Sequence, residues 1–154
     1  MMRTLRLLVV IAAAIGMNGS VGVAGQAPVP LPVAVYKSAT CGCCAKWNEH
    51  MKAAGFAVNS TDVGDVAPIK DKHGVPASAR SCHTALVGGY VLEGHVPADL
   101  VRRLLRERPA SIVGLAVPGM PVGSPGMEMP DGRKDTYNIV AFDKDGKTSV
   151  YATR

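Results

Sequence analysis

A mixed α/β domain is predicted by three observations. A short apolar segment with near period-two alternation, Val33-Ala34-Val35-Tyr36-Lys37, runs into a cysteine-rich turn, Cys41-Gly42-Cys43-Cys44. Trp47, Met51 and Ala54 then recur at helical spacing. Further on, Thr84-Ala85-Leu86-Val87 and Tyr90-Val91-Leu92-Glu93 flank Gly88-Gly89, a two-residue hairpin signal.

Composition agrees with one folded domain. The chain has 154 residues, 47% of them hydrophobic and 19% charged. That is apolar enough to exclude wholesale disorder, and the 17 glycines and 11 prolines show no G-X-Y period that would mark a fibrous chain. The formal charge of +5 includes two arginines in a segment expected to be removed. Met1-Met2-Arg3-Thr4-Leu5-Arg6 opens onto the apolar run Leu7 to Ile15, followed by small residues near Val23-Ala24-Gly25, the form of a secretory signal peptide. The run is too short to span a bilayer, which takes about 20 apolar residues. Residues 1–25 are therefore expected to be a cleaved signal, 26–32 a flexible Pro-rich leader, and 33–154 a single domain. No membrane attachment is expected after cleavage. Without Arg3 and Arg6 the excess of basic residues is small. With one tryptophan, four tyrosines and two phenylalanines there is little to stack on bases, so nucleic acid is excluded as a partner.

The elements follow in order. Val33–Lys37 is a strand, Ala45–Ala54 a helix with Gly55 at its C-cap, and Phe56–Thr61 a second strand. A short helix is expected near Val66–Lys72, and the hairpin follows. Pro97 opens a helix to about Arg108 with a buried stripe of Leu100, Val101, Leu104 and Leu105, its four arginines lying on the solvated face. Pro118 to Gly126 is too rich in Pro and Gly for a helix or central strand, yet too apolar for an ordinary linker. Tyr137–Phe142 and Thr148–Ala152 close a C-terminal hairpin around Asp143-Lys144-Asp145-Gly146, a turn that lacks the closing glutamate of a calcium loop. Strand, CxCC, helix, strand, then hairpin and helix is the order of a thioredoxin-like core, here with a C-terminal β-hairpin extension.

Four cysteines in so short an exported chain carry the chemistry, three of them within Cys41–Cys44. At a helix start, backbone N–H groups and the helix dipole favour thiolate. Three uses are open. Two structural disulfides would staple only a tiny loop at the motif, removing little unfolded-state entropy. Thiol–disulfide exchange would use Cys41 and Cys44, with Cys41 as nucleophile. Against it, Arg80-Ser81-Cys82-His83-Thr84 stands where thioredoxin-like oxidoreductases place a cis-proline, and Cys43 invites mispaired disulfides.

The third use is a soft-metal site of Cys41, Cys43, Cys44 and Cys82. Thiolates select Cu(I), Zn(II) or iron–sulfur clusters. Mononuclear zinc prefers paired C-x-x-C knuckles, whereas a crowded C-x-C-C suits sulfurs shared among several Cu(I) ions. Copper therefore leads over zinc. Met120, Met127 and Met129 lie in or beside the Gly/Pro loop as soft thioethers, with hydrophobic plugging as the competing explanation. His83, next to Cys82, is the best histidine candidate, then His95; a purely structural role stays open for both. His50 and His73 are expected to be exposed. No residue is assigned a catalytic role.

These residues resemble the CopG-like periplasmic copper-resistance family, domain-of-unknown-function family 411. The resemblance is carried by Thr40-Cys41-Gly42-Cys43-Cys44 with Trp47, Gly74-Val75-Pro76, Ser81-Cys82-His83-Thr84-Ala85 and Glu93-Gly94-His95-Val96-Pro97-Ala98. It continues through Gly114-Leu115-Ala116-Val117-Pro118-Gly119-Met120-Pro121 and Gly123-Ser124-Pro125-Gly126-Met127-Glu128. It implies a thioredoxin-like domain in the periplasm that binds copper through Cys41, Cys43, Cys44 and Cys82. It further implies a multinuclear Cu(I)–thiolate cluster, a part in copper redox exchange, and other copper-handling proteins of the periplasm as partners.

Overall fold

The computed structural model describes residues 29–154. The expected signal peptide and the start of the leader lie outside that range. The elements are β1 (Pro32–Lys37), α1 (Gly42–Ala53), β2 (Ala57–Asp62), α2 (Ala67–Lys72), a 3-10 turn (Ala77–Ala79), β3 (Thr84–Val87), β4 (Tyr90–Glu93), α3 (Ala98–Glu107), β5 (Gly114–Ala116), β6 (Asn138–Phe142) and β7 (Thr148–Thr153). The strands form one seven-stranded sheet in the order β2-β1-β3-β4-β5-β6-β7. β1 pairs in parallel with β2, and β4 with β5; the other four pairings are antiparallel. The expected α/β order is present, C-terminal hairpin included.

Helix α1 begins three residues earlier than the Trp47 pattern indicated. Its buried residues are Cys44, Trp47, Asn48 and Met51, an i, i+3, i+4, i+7 stripe whose first member is a cysteine. Cys43 and Cys44 therefore belong to the first helical turn, with Cys41 at the N-cap in an extended conformation. Pro97 is likewise the N-cap of α3 rather than its first residue, and Arg108 ends the helix in the left-handed region. Strand β5 carries no signal in the sequence. It is three residues long, too short to show a period, and every one of them is buried.

Both faces of the sheet are covered, and β4 and β5 show why their residues do not alternate in polarity. Leu92 and Leu115 join Trp47, Met51, Leu100 and Leu104 in the larger core, on the side of α1 and α3. Val91 and Ala116 join Val75, Ala79 and Phe142 in a smaller core on the opposite face. Strands buried on both sides read as continuous apolar runs. The turn Asp143–Gly146 closes the last hairpin, with the Asp143 carboxylate accepting the N–H groups of Asp145 and Lys147 at 2.9 Å.

His50, expected to be exposed, is half-buried. Its Nε2 accepts the Ala98 N–H at 3.1 Å, capping a helix whose N-cap proline has no side-chain oxygen to offer. His73 is also half-buried, at the C-cap of α2.

Candidate metal centre

Three segments converge at the start of α1. The first is the CxCC turn itself. The second is Ser81-Cys82-His83, leading into β3, and the third is the end of β4 with His95. The β3–β4 register explains the last two: Thr84 pairs with Glu93, and the Gly94 N–H donates to the His83 carbonyl at 2.9 Å, so the ladder continues past the strand ends. One more step in that register sets Cys82 opposite His95. Their Sγ and Nε2 atoms are 3.1 Å apart, and the Sγ of Cys82 is 3.4 Å from Nδ1 of His83.

Two donor groups result, each with all its ligand atoms within 4.8 Å of one another. One is Cys41, Cys43, Cys44 and Cys82; the other is Cys44, Cys82, His83 and His95. The four cysteines singled out from sequence are thus brought together, and His83 with them. His95 is a fuller member of the site than its sequence context suggested. The signal was available, because counting outward from Gly88-Gly89 places it opposite Cys82.

Cys41 and Cys44 are joined by a disulfide, with Cα atoms 5.3 Å apart. Four simultaneous thiolates, expected from sequence, are therefore not the state seen here. Residues three apart face each other on a helical first turn, so these two sulfurs meet without backbone rearrangement. Cys43 and Cys82 are free, so the two-disulfide alternative does not apply. The Cys43 Sγ lies 3.5 Å from that of Cys41 and 3.9 Å from the Sδ of Met120.

Electrostatics divide the site. Burial, followed by the neighbouring Cys43, pushes the Cys82 thiol up to about 11, so a metal arriving at neutral pH displaces a proton from it. Burial, reinforced by His95 and by the Lys70 and Lys37 ammonium groups, pushes His83 down to about 3. Burial also lowers His95. Both imidazoles are fully buried and neutral at pH 7, so both present a lone pair. Nε2 of His83 and Nδ1 of His95 have no hydrogen-bond partner among the described residues. Trp47 packs against the His83 ring, whose centroid lies 5.5 Å from that of His95. Its indole lies 4.5 Å from His83, centroid to centroid and tilted by 48°, and its Nε1–H donates to the Val96 carbonyl at 2.9 Å.

The Gly/Pro loop closes the outer side. It is bonded to itself, Gly123 N–H to the Met127 carbonyl and Met127 N–H to the Ser124 carbonyl, and the Glu128 carboxylate accepts the Gly126 N–H. Gly126, at φ +90°, lies so near α1 that a Cβ there would sit 2.6 Å from the Cys43 carbonyl oxygen, so only glycine fits. Met120 is 52% exposed, which argues against the plug reading of this residue. Met127, half-buried, and Met129, exposed, line with Cys43 an open pocket of about 340 Å³. Thiols, imidazoles and a thioether make a soft donor set that suits copper.

This fold and site define an α/β domain with a cysteine-rich cluster able to hold a soft metal. The family described as a protein of unknown function, DUF411, matches residues 79–127, which include Cys82, His83, His95 and the Met120 loop. Two solved structures of a copper resistance protein CopG, Form 1 and Form 2, are each 46% identical, cover 81% of this chain and 98% of theirs, and superpose with a TM-score of 0.76. No curated protein matches the chain. The chain belongs to the CopG-like DUF411 family, and its cysteine cluster fits a copper-related role. Among the described residues, no helix is long and apolar enough to cross a membrane.

Proposed function

We propose that this protein is an exported periplasmic copper-binding protein that contributes to copper resistance. Once the Cys41–Cys44 disulfide is reduced, Cys41, Cys43, Cys44 and Cys82 hold Cu(I) as thiolates, sharing sulfurs among several ions. The observation that carries this is the convergence of those four sulfurs within 4.8 Å. Tetrahedral zinc would need only one ion for four thiolates, but here a second donor group reuses Cys44 and Cys82 with His83 and His95, which favours more than one metal position. Met120 and Met127 supply thioethers at the outer edge. The disulfide also supplies a redox partner. Two Cu(I) ions giving up one electron each, with two protons from solvent, reduce Cys41–Cys44 to two thiols and leave two Cu(II) ions; the reverse direction regenerates Cu(I). The expected partners are periplasmic proteins that deliver or accept copper, and the signal-like sequence at residues 1–25 supports the location.

The deciding experiment is an anaerobic Cu(I) titration of the fully reduced protein against a competing chelator. Uptake of more than one ion per chain, with sulfur-to-copper absorption, is expected. Affinity weaker than about micromolar, some 8 kcal/mol, would overturn the reading. The disulfide itself favours a second reading, a thiol–disulfide oxidoreductase with Cys41 half-exposed and Cys44 buried. Rapid disulfide reduction by a Cys82→Ser variant, without copper uptake by the wild type, would put it first.

A further inference from the structure

Beside the donors lies a polar cluster with no part in holding copper. Glu93 is fully buried and Lys70 nearly so. The Lys70 ammonium donates to Glu93 Oε1 at 2.5 Å and to the Thr84 hydroxyl at 3.2 Å, and the Thr84 hydroxyl donates to Glu93 Oε2 at 2.7 Å. As a source of stability this arrangement is weak, because desolvating two charges offsets most of their attraction. Its connections are more informative. The Ser81 N–H donates to Glu93 Oε1 at 2.6 Å, directly before Cys82. The Ser81 hydroxyl in turn donates to the Gly119 carbonyl at 2.5 Å, directly before Met120. On the main chain, the Glu93 carbonyl accepts the Val117 N–H at 2.9 Å. Gly94, at φ +68°, allows Ser81 and Val117 to close on the chain, since a Cβ there would lie 2.5 Å from Ser81 Oγ and 2.7 Å from the Val117 carbonyl oxygen.

We infer that Glu93, held by Lys70, is a positioning residue for the metal centre. Its carboxylate fixes the Ser81-Cys82-His83 segment and, through Ser81, the Met120 loop, at the spacing the donors need. The inference rests on the copper reading for its purpose, but the placement of Cys82 is measurable without metal. A carboxylate suits the task because one group accepts a backbone N–H, a hydroxyl and an ammonium together. Burial pushes the Glu93 carboxyl above the usual carboxylate range, and the Lys70 ammonium opposes that shift.

Two double variants separate positioning from stability. Lys70→Met with Glu93→Leu removes the charges together and leaves the Ser81 N–H without an acceptor. Lys70→Met with Glu93→Gln is also uncharged, but the Gln carbonyl can accept that N–H while its amide donates to Thr84. The Leu pair is expected to weaken Cu(I) binding about tenfold or more, the usual range for groups that orient metal ligands. In metal-free protein with the disulfide intact, it should also raise the rate of Cys82 alkylation relative to Cys43, at fixed pH. The Gln pair should restore both readouts at a comparable melting temperature. Wild-type affinity and labelling ratio in the Leu pair would overturn the inference, as would equal losses in both pairs that track melting temperature. Should the Leu pair not fold, Ser81→Ala keeps the N–H that Glu93 accepts but removes the hydroxyl's bonds to the Gly119 carbonyl and the Cys82 Sγ; it should cost about threefold or more in Cu(I) affinity, the worth of a hydrogen bond, and unchanged affinity would overturn the relay through Ser81. If the wild type binds no Cu(I), the copper reading fails, and the labelling ratio of the Leu and Gln pairs alone decides whether Glu93 places Cys82.

Discussion

The two halves of the candidate metal centre are built differently. The CxCC half sits on a helix start, partly open to solvent, and its sulfurs can exchange bonds: Cys41 is already paired with Cys44, and Cys43 stands 3.5 Å from Cys41. The Cys82–His83–His95 half hangs on a hairpin ladder, its imidazoles fully buried, His83 against Trp47, and its thiol pushed up to about 11. One half holds a disulfide beside a free thiol; the other is preformed and reluctant to carry charge. A site assembled this way can change its sulfur count on one side while the other keeps its geometry.

The largest test of that contrast is Cys82→Ser. Cys82 belongs to both donor groups whereas Cys43 belongs to one, so Cys82→Ser should lower Cu(I) affinity about a thousandfold, near 4 kcal/mol, and Cys43→Ser far less. Chelator competition measures both, and equal losses would erase the distinction. The pH dependence follows from the same thiol. Because Cys82 stays protonated up to about 11, its share of Cu(I) affinity should grow about tenfold per pH unit through neutrality, and Cys82→Ser should lower the slope by about one.

Acid acts on the preformed half. His83 is held down to about 3 and His95 is also lowered, so between their unfolded value near 6.5 and those folded values the unfolded chain binds more protons. Stability is whole above about pH 6.5 and falls as pH drops, by about 1.4 kcal/mol per unit for His83 alone. Urea midpoints of metal-free protein at pH 7, 5.5 and 4 check this, and His83→Phe should flatten the slope. The smallest expected effect lies outside both halves. His50→Ala uncaps α3 and should cost about 1 kcal/mol in thermal unfolding with copper affinity unchanged. A loss of copper there would mean that α3 supports the centre more directly than its contacts indicate.

Local patterns made much of this legible. The Gly88-Gly89 turn, the α3 stripe and the CxCC turn each announce themselves within a dozen residues. Strand β5 did not, since three buried residues between Pro-containing stretches carry no periodicity. Lys70 was hidden for another reason: it looks like part of a polar helix, and its partner Glu93 lies 23 residues away. His95 is the intermediate case, readable from hairpin register though not from its neighbours. The state of the sulfurs was the least legible, because C-x-C-C allows thiolates and a disulfide equally.

The exposed thioethers give the centre an ageing surface. Met120 and Met129 stand at the rim, open to solvent, while Cys44, His83 and His95 are buried. A peroxide reaching this face meets Met120 and Met129 before those inner donors, and a methionine sulfoxide presents hard oxygen in place of soft sulfur. Oxidative wear would therefore begin at the entrance, where enzymatic repair can also reach it, and leave the inner donors intact.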